Sequence, residues 1–426
     1  MTSPSRLTAY LAQAPRWQFV TYATLVAFCT YSCVFAFRKA LPAAQFAGLT
    51  AWGIDYKTTL LIAQILGYMA SKFLGIKVVS EMPPTQRARY IIGLILIAEL
   101  AWLGFALAPM PYNVAFLWLN GFPLGMIWGL VFSYLEGRET TEILGTGLSA
   151  SFIASSGFAK SVGKWVIDQG GFSEFWMPFL TGLIFLPPLV VSLILLNYLP
   201  PPSQADIDNR TLRRPMYGHE RWAFFKRFAP GLILLMLVYM LLTAYRDFRD
   251  NFAINIWVEL GYDKQPGIFT QTELPVSLMI FVSLALLIFI KNHRAALRTY
   301  HFVIAGGMLL VGLSTWIFQM GWISPVVWMI AVGVGGYLGY VPFNSILFDR
   351  MLAAFRYVGT AGFLIYLCDS FGYLASVGVM LYKNFGHAQI SWLQFFVQGS
   401  YWMAGLGAVW MLGAWWYFGR QLAEKG

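Results

Sequence analysis

Long apolar runs recur along the whole chain, separated by short polar breaks. A helix needs about 20 apolar residues to cross the hydrocarbon core of a bilayer. Twelve runs meet that length, near 17–43, 56–79, 88–108, 112–134, 144–167, 175–199, 228–259, 268–290, 298–319, 322–347, 357–382 and 391–418. The one substantial polar stretch, PPPSQADIDNRTLRRPMYGHERWAFFKR, runs from Pro200 to Arg227. The pattern therefore predicts an all-α membrane protein with twelve transmembrane helices. They form a six-helix bundle over 1–199, a linker over 200–227 and a second six-helix bundle over 228–426. The first run is too long for the core of a cleavable signal peptide and reads as a helix that stays in the membrane.

Composition agrees. Hydrophobic residues make up 58% and charged residues 11% of the chain, against about 45–50% and 25% in ordinary globular proteins. The formal charge of +10 does not point to nucleic acid, because basic residues gather in the loops that set orientation. With both termini inside, the cytoplasmic loops hold Lys77, Arg87, Arg89, Arg138, the linker cations, Lys291, Arg294, Arg298, Arg350 and Arg356. Only Lys57, Lys264 and Lys383 fall outside. That asymmetry predicts a multi-pass protein of the cell inner membrane with cytoplasmic termini. Cys29, Cys33 and Cys368 lie in apolar segments without metal-ligand spacing. His219, His293, His301 and His387 are scattered in or near loops and form no catalytic or metal group.

Seven basic residues remain inside predicted helices: Arg38, Lys39, Lys72, Lys160, Lys164, Arg246 and Arg249. A charge at the bilayer centre costs at least about 2.5–3.5 kcal/mol, so the deeper ones require a polar cavity or acidic partners. An internal repeat links two of them. Gly121, Gly125 and Gly145-Thr146 recur as Gly335, Gly339 and Gly359-Thr360, each at an offset of 214. Arg38 on the first helix and Arg249 on the seventh stand 211 apart. Duplicated halves are a mark of transporter folds. The repeat predicts one arginine from each half, facing the other across a pseudo-twofold axis. The stretch GFPLGMIWG on the fourth helix and GVGGYLG on the tenth are small-residue stripes that allow close helix packing.

Several segments resemble the major facilitator superfamily and, within it, the organophosphate:phosphate antiporter family. YSCVFAFRKALPAA is similar to that family's first helix, with Tyr31 two turns before Arg38. YMASKFLG is similar to its second, placing Lys72 at the binding lysine. NGFPLGMIWG resembles its fourth, with Trp128 at the tryptophan. Arg249 matches the second substrate arginine, and Glu273 is similar to a family glutamate. The resemblance implies a central site where two arginines and a lysine hold a phosphate group, and alternating access by rocking of the halves. The chain departs from the family in three places. KVVSEMPPTQRAR replaces the Asp-Arg signature after the second helix, with Glu81 and Arg87 in different spacing. Ser155 stands where the family has a histidine. Lys160, Arg246 and Asp369 have no counterpart.

Arginine suits an oxyanion because its planar fork donates two parallel hydrogen bonds and stays charged. Asp247, Asp250, Glu273 and Asp369 are available to pair with these cations, either to tune an anion site or to stabilise helix packing. Arg246 is a third cationic ligand or the partner of Asp250. Lys160 pairs with Asp369 across the repeat axis, or Asp369 carries a proton. Tyr31 and Trp128 pack the organic part of a substrate or simply pack helices, and Glu99 reads as a structural polar contact. Glu136 and Arg138 read as part of a cytoplasmic gate network. The function expected is secondary transport of a small organic anion, a monomer in the lipid bilayer needing no cofactor and no nucleic acid. The alternative is a transporter-like sensor that binds the anion and signals to a membrane partner. No Ser/His/Asp set, phosphate-cradling loop or ATP-binding motif supports an enzyme or a primary pump.

Overall fold

The computed structural model describes residues 5–424 apart from positions 81, 137, 139, 205, 207–217, 288, 358–361 and 388. Twelve long helices are present among the described residues. In the first half they are α1 (Arg16–Lys39), α2 (Tyr56–Ser80), α3 (Arg87–Leu107), α4 (Val114–Phe132), α5 (Thr141–Asp168) and α6 (Met177–Asn197). In the second they are α7 (Gly218–Asn251), α8 (Ile268–Leu287), α9 (His293–Gln319), α10 (Pro325–Ser345), α11 (Gly362–Gly386) and α12. The last is built of Trp392–Trp402 and Ala408–Ala423 around a π-helical turn at Met403–Gly407. Short helices at Arg6–Gln13, Ala253–Glu259 and Leu347–Ala354 lie between them. A two-residue hairpin pairs Thr50–Ala51 with Ile54–Asp55. Among the described residues, eight helices are long and apolar enough to cross a membrane.

Every predicted run becomes a helix, and the differences fall at the ends. Charge does not stop a helix at an interface, so α7 begins at Gly218, ten residues before the apolar run starts. It bends at Phe228, whose backbone is non-helical, just ahead of Pro230, as the missing N–H and ring of proline require. Asn292, Ser324 and Ser391 accept backbone N–H groups at the starts of α9, α10 and α12. Those side chains satisfy donors that have no partner within the helix.

By Cα packing the chain forms two units. One is Met1–Arg210 with Ala253–Leu274; the other is Thr211–Phe252 with Pro275–Gly426. The segment after α7 therefore belongs to the first unit, although it lies beyond the linker. The Lys57 ammonium donates to Asn255 Oδ1 at 2.9 Å and Pro42 O at 3.1 Å, and the Thr270 hydroxyl lies 2.8 Å from Ser161 Oγ.

In the first unit α4 lies against α2 at the predicted small-residue stripe. A Cβ on Gly121 would overlap the Gln64 carbonyl, and one on Gly67 would overlap that of Trp118. The repeat looks different in three dimensions. At an offset of 214, Gly335 meets Gly307 of α9 and Gly339 meets Leu242 of α7. The atoms nearest a Cβ at these two positions belong to α9 and α7 rather than to α8, the counterpart of α2. A Cβ on Gly333 would stand 2.8 Å from Val276 of α8. Gly121 and Gly333 are 212 apart, close to the 211 of Arg38 and Arg249. Gly359 and Thr360 lie outside the described residues.

Gly121→Ala is expected to destabilise the protein by about 1–3 kcal/mol, the usual cost of forcing atoms into a packed contact. A Cβ on Gly93 meets nothing within 4 Å, so Gly93→Ala is expected to be neutral or slightly stabilising. Thermal unfolding in detergent compares the two; equal melting temperatures would remove the close contact from the account.

Candidate functional site

In the first unit, a buried amide sets the place of the α1 arginine. Asn120 of α4 is fully buried. Its Nδ2 donates to Ala98 O of α3 at 3.0 Å and to Phe37 O of α1 at 3.3 Å, and its Oδ1 accepts from Gln64 Nε2 of α2 at 2.8 Å. Trp102 Nε1 also donates to Phe37 O, at 2.7 Å. The next residue is Arg38, 9% exposed, whose guanidinium carbon lies 4.1 Å from the centre of the Tyr68 ring. Lys72, one turn further along α2, holds its Nζ 5.5 Å from the same ring. Arg38 and Lys72 are thus brought together beside one aromatic ring. Cations favour that position because the ring face is electron-rich.

Tyr31 is buried on α1, its ring 5.9 Å from that of Phe35. Trp128 is half-buried and stacks on Phe132 at 5.0 Å. Ser155 donates to Ser32 Oγ at 2.7 Å and so joins α5 to α1. Lys160 is fully buried, with Nζ 5.6 Å from the Phe269 ring. Glu273 is buried in α8, where Gly157 leaves room for it. Lys57, assigned from sequence to an outer loop, is 1% exposed. It sits in the first turn of α2, with acceptors from 41–43 and 253–259 over it.

In the second unit, the end of α7 carries Arg246, Asp247, Arg249 and Asp250. Arg249 is buried and donates to Met329 O of α10 at 3.0 Å; a Cβ on Gly333 would stand 2.7 Å from its Nη2. Arg246 pairs with its neighbour Asp247, through Nη2 at 2.7 Å and Nε at 3.1 Å. Its guanidinium carbon lies 3.9 Å from the centre of the Tyr340 ring. Tyr340 stacks on Tyr239, with hydroxyls 3.0 Å apart. Tyr239 accepts from Asn344 Nδ2 at 3.1 Å and donates to Asp369. A ladder of polar aromatic groups thus runs from Arg246 to Asp369. Tyr239, Tyr340 and Asn344 were not singled out from sequence. The available signal was hydrogen-bonding residues inside the apolar runs of the seventh and tenth helices.

Arg87 at the start of α3 and Arg138 after α4 bind backbone carbonyls. Arg87 donates to Ser133 O at 3.0 Å and lies 5.6 Å over the Tyr134 ring; Arg138 donates to Pro200 O and lies 4.8 Å over Phe19. Burial pushes the Tyr134 phenol up to about 12, with the Arg87 charge pulling the other way. Glu81 lies outside the described residues. His301 is not near a loop but buried within α9, its Nδ1 2.7 Å from Leu297 O. Among the described residues no group of three or more His, Cys, Asp or Glu side chains stands together for a metal.

The chain belongs to the family of unknown function DUF5690, which matches residues 40–421. No curated protein matches its sequence. Among solved structures it is similar to a bacterial homologue of the human drug peptide transporters PepT1 and PepT2. That match has 11% identity and a TM-score of 0.61, over 95% of this chain and 99% of that one. It is similar to a D-xylose-proton symporter at 15% identity and a TM-score of 0.59, over 92% and 97% of the two chains. It is also similar to the nucleoside transporter NupG at 13% identity and 0.59, over 94% and 99%. The shared property is the fold: an all-α, multi-pass membrane protein of the major facilitator type.

Asn120→Ala leaves two carbonyls and the Gln64 amide without their shared partner. It is expected to lower stability by at least about 2 kcal/mol, the combined effect of lost buried hydrogen bonds. A melting temperature unchanged in detergent would show that the amide does not hold the four helices.

Proposed function

We propose that this protein is a secondary active transporter for a small organic anion, an organophosphate exchanged for inorganic phosphate. Arg38 and Arg249 are the principal anion ligands. Lys72 adds a third cation, Arg246 tunes the second unit, and Tyr31 and Trp128 contact the organic part. Asp250, Glu273, Asp369 and Lys160 belong to the charge-pairing set. The observation that carries the reading is that each unit buries an arginine on a membrane helix. Each is oriented by contacts that hold the guanidinium plane, Tyr68 in one case and the Met329 carbonyl in the other. Such burial is costly and is best offset where an anion completes the site. The fold, shared with several transporters, supports alternating access as the means of movement. The concentration of Lys and Arg in one set of loops supports an inner-membrane location with cytoplasmic termini.

The test is uptake of labelled phosphate and sugar phosphates into proteoliposomes loaded with unlabelled phosphate. Arg38→Lys and Arg249→Lys keep the charge and remove the fork, and each is expected to cut uptake by about tenfold or more, the loss of one bidentate contact. Normal uptake in both would dismiss the two-arginine site. Retained phosphate binding with no uptake by the wild type would favour the sensor.

A further inference from the structure

Glu99 lies near the middle of α3 and is 5% exposed. Neither carboxyl oxygen has a hydrogen-bond partner. It stands twelve residues from Arg87 and eight from Leu107. At 1.5 Å per residue that puts it about 12 Å from the nearer helix end, beyond the reach of a glutamate side chain toward water. A Cβ on Gly182 of α6 would overlap Oε2 and stand 2.7 Å from the carboxyl carbon. The glycine thus opens a niche that the carboxyl fills. Thr181, beside it and fully buried, also has a hydroxyl without a partner.

No charged side chain on the surrounding helices hydrogen-bonds the carboxyl. Neither α4 nor α6 contains an ionisable residue. On α1 stand Arg16, Tyr22, Cys29, Tyr31, Cys33, Arg38 and Lys39, and on α3 itself Arg87, Arg89 and Tyr90. None of them forms a hydrogen bond or ion pair with Glu99. An ionised carboxylate cannot persist there unpaired, so the group is held as the neutral acid. A metal ion is a poor alternative, because hard cations gather about six oxygen ligands and this niche presents a single carboxyl.

We propose that Glu99 is a proton-binding site between α3 and α6, separate from the arginine site, and that its proton couples transport to a pH gradient. The coupling rests on the transport function proposed above; proton binding does not. The carboxyl keeps its proton while α3 and α6 are closed over it. In a state that admits water to the niche, the O–H bond breaks, the electron pair stays on the carboxylate and the proton passes to solvent. Low pH therefore favours the closed state and high pH the hydrated one.

Dicyclohexylcarbodiimide adds to protonated carboxyls in apolar surroundings. With the wild-type protein in proteoliposomes, mass spectrometry of the α3 peptide is expected to show an adduct on Glu99 at about pH 6. That adduct should fall about tenfold or more by about pH 9, as a carboxyl titrates. No adduct at the lower pH, or an adduct independent of pH, overturns proton binding, and neither result depends on the substrate. For coupling, in proteoliposomes loaded with unlabelled phosphate as the exchange partner, an inward proton gradient is expected to raise accumulation of labelled phosphate by the wild type and by Glu99→Asp, and not by Glu99→Gln. A gradient response retained in Glu99→Gln, or a wild-type response to sodium in place of protons, overturns the coupling. A wild type that moves no phosphate under any gradient refutes both phosphate transport and its coupling, while the labelling result still decides proton binding.

Discussion

The amide of Asn120 is the joint on which the first unit is assembled. In a hydrocarbon surrounding every polar group needs an internal partner. One amide here supplies partners to three other helices: the carbonyls of Phe37 and Ala98 and the side chain of Gln64. A buried amide that reaches the carbonyls of neighbouring helices fixes one helix against another. Because Phe37 is fixed, Arg38 is presented at a set height on α1 and meets Tyr68. The same amide that joins the bundle therefore aims its cation. The second unit reaches the same end differently, with the Met329 carbonyl receiving Arg249 and the missing Cβ of Gly333 leaving room for it.

Magnitudes show why these positions stand apart from ordinary packing. A neutral buried hydrogen bond contributes about 1 kcal/mol net, whereas a charge in the bilayer centre costs at least about 2.5–3.5 kcal/mol. Lys164, by contrast, lies near the end of α5 and pairs with Asp168 at 2.5 Å, one turn away. That pair is ordinary interfacial chemistry. Arg38 and Arg249 also stand near the ends of their helices, but both side chains are buried inside the protein.

The helices were legible because membrane crossing is set by apolar length, which sequence displays directly. Their ends were less so: the polar residues before α7 read as linker, yet they continue its helix. The buried arginines were legible as charges in apolar runs. Tyr68, Tyr239 and Tyr340 were not, because a tyrosine in a membrane helix has the same sequence signature at an interface, in a core or under a cation. Lys57 misled in the other direction: its burial depends on segments 41–43 and 253–259, and no local pattern announces that. The repeat was found at 214 by matching glycine identity, whereas packing selects Gly333 at 212. Identity records which residue recurs; only the neighbour it admits shows which face recurs.

Two buried carboxyls carry this contrast into chemistry. Asp369 receives the Tyr239 hydroxyl, itself supported by Asn344. Glu99 faces a glycine niche with no donor aimed at it, which suits an acid. Both residues look alike in sequence, one acidic side chain in an apolar helix, and a pairing argument applies to Asp369 alone. What separates them is the donor inventory of the neighbouring helix. Across from Asp369, α7 offers Tyr239; across from Glu99, α6 offers Gly182 and Thr181 in an otherwise apolar helix. An acid kept where nothing stabilises its anion gains or loses its proton only when its surroundings change. That is the property a carrier needs if proton movement is to follow its conformational cycle.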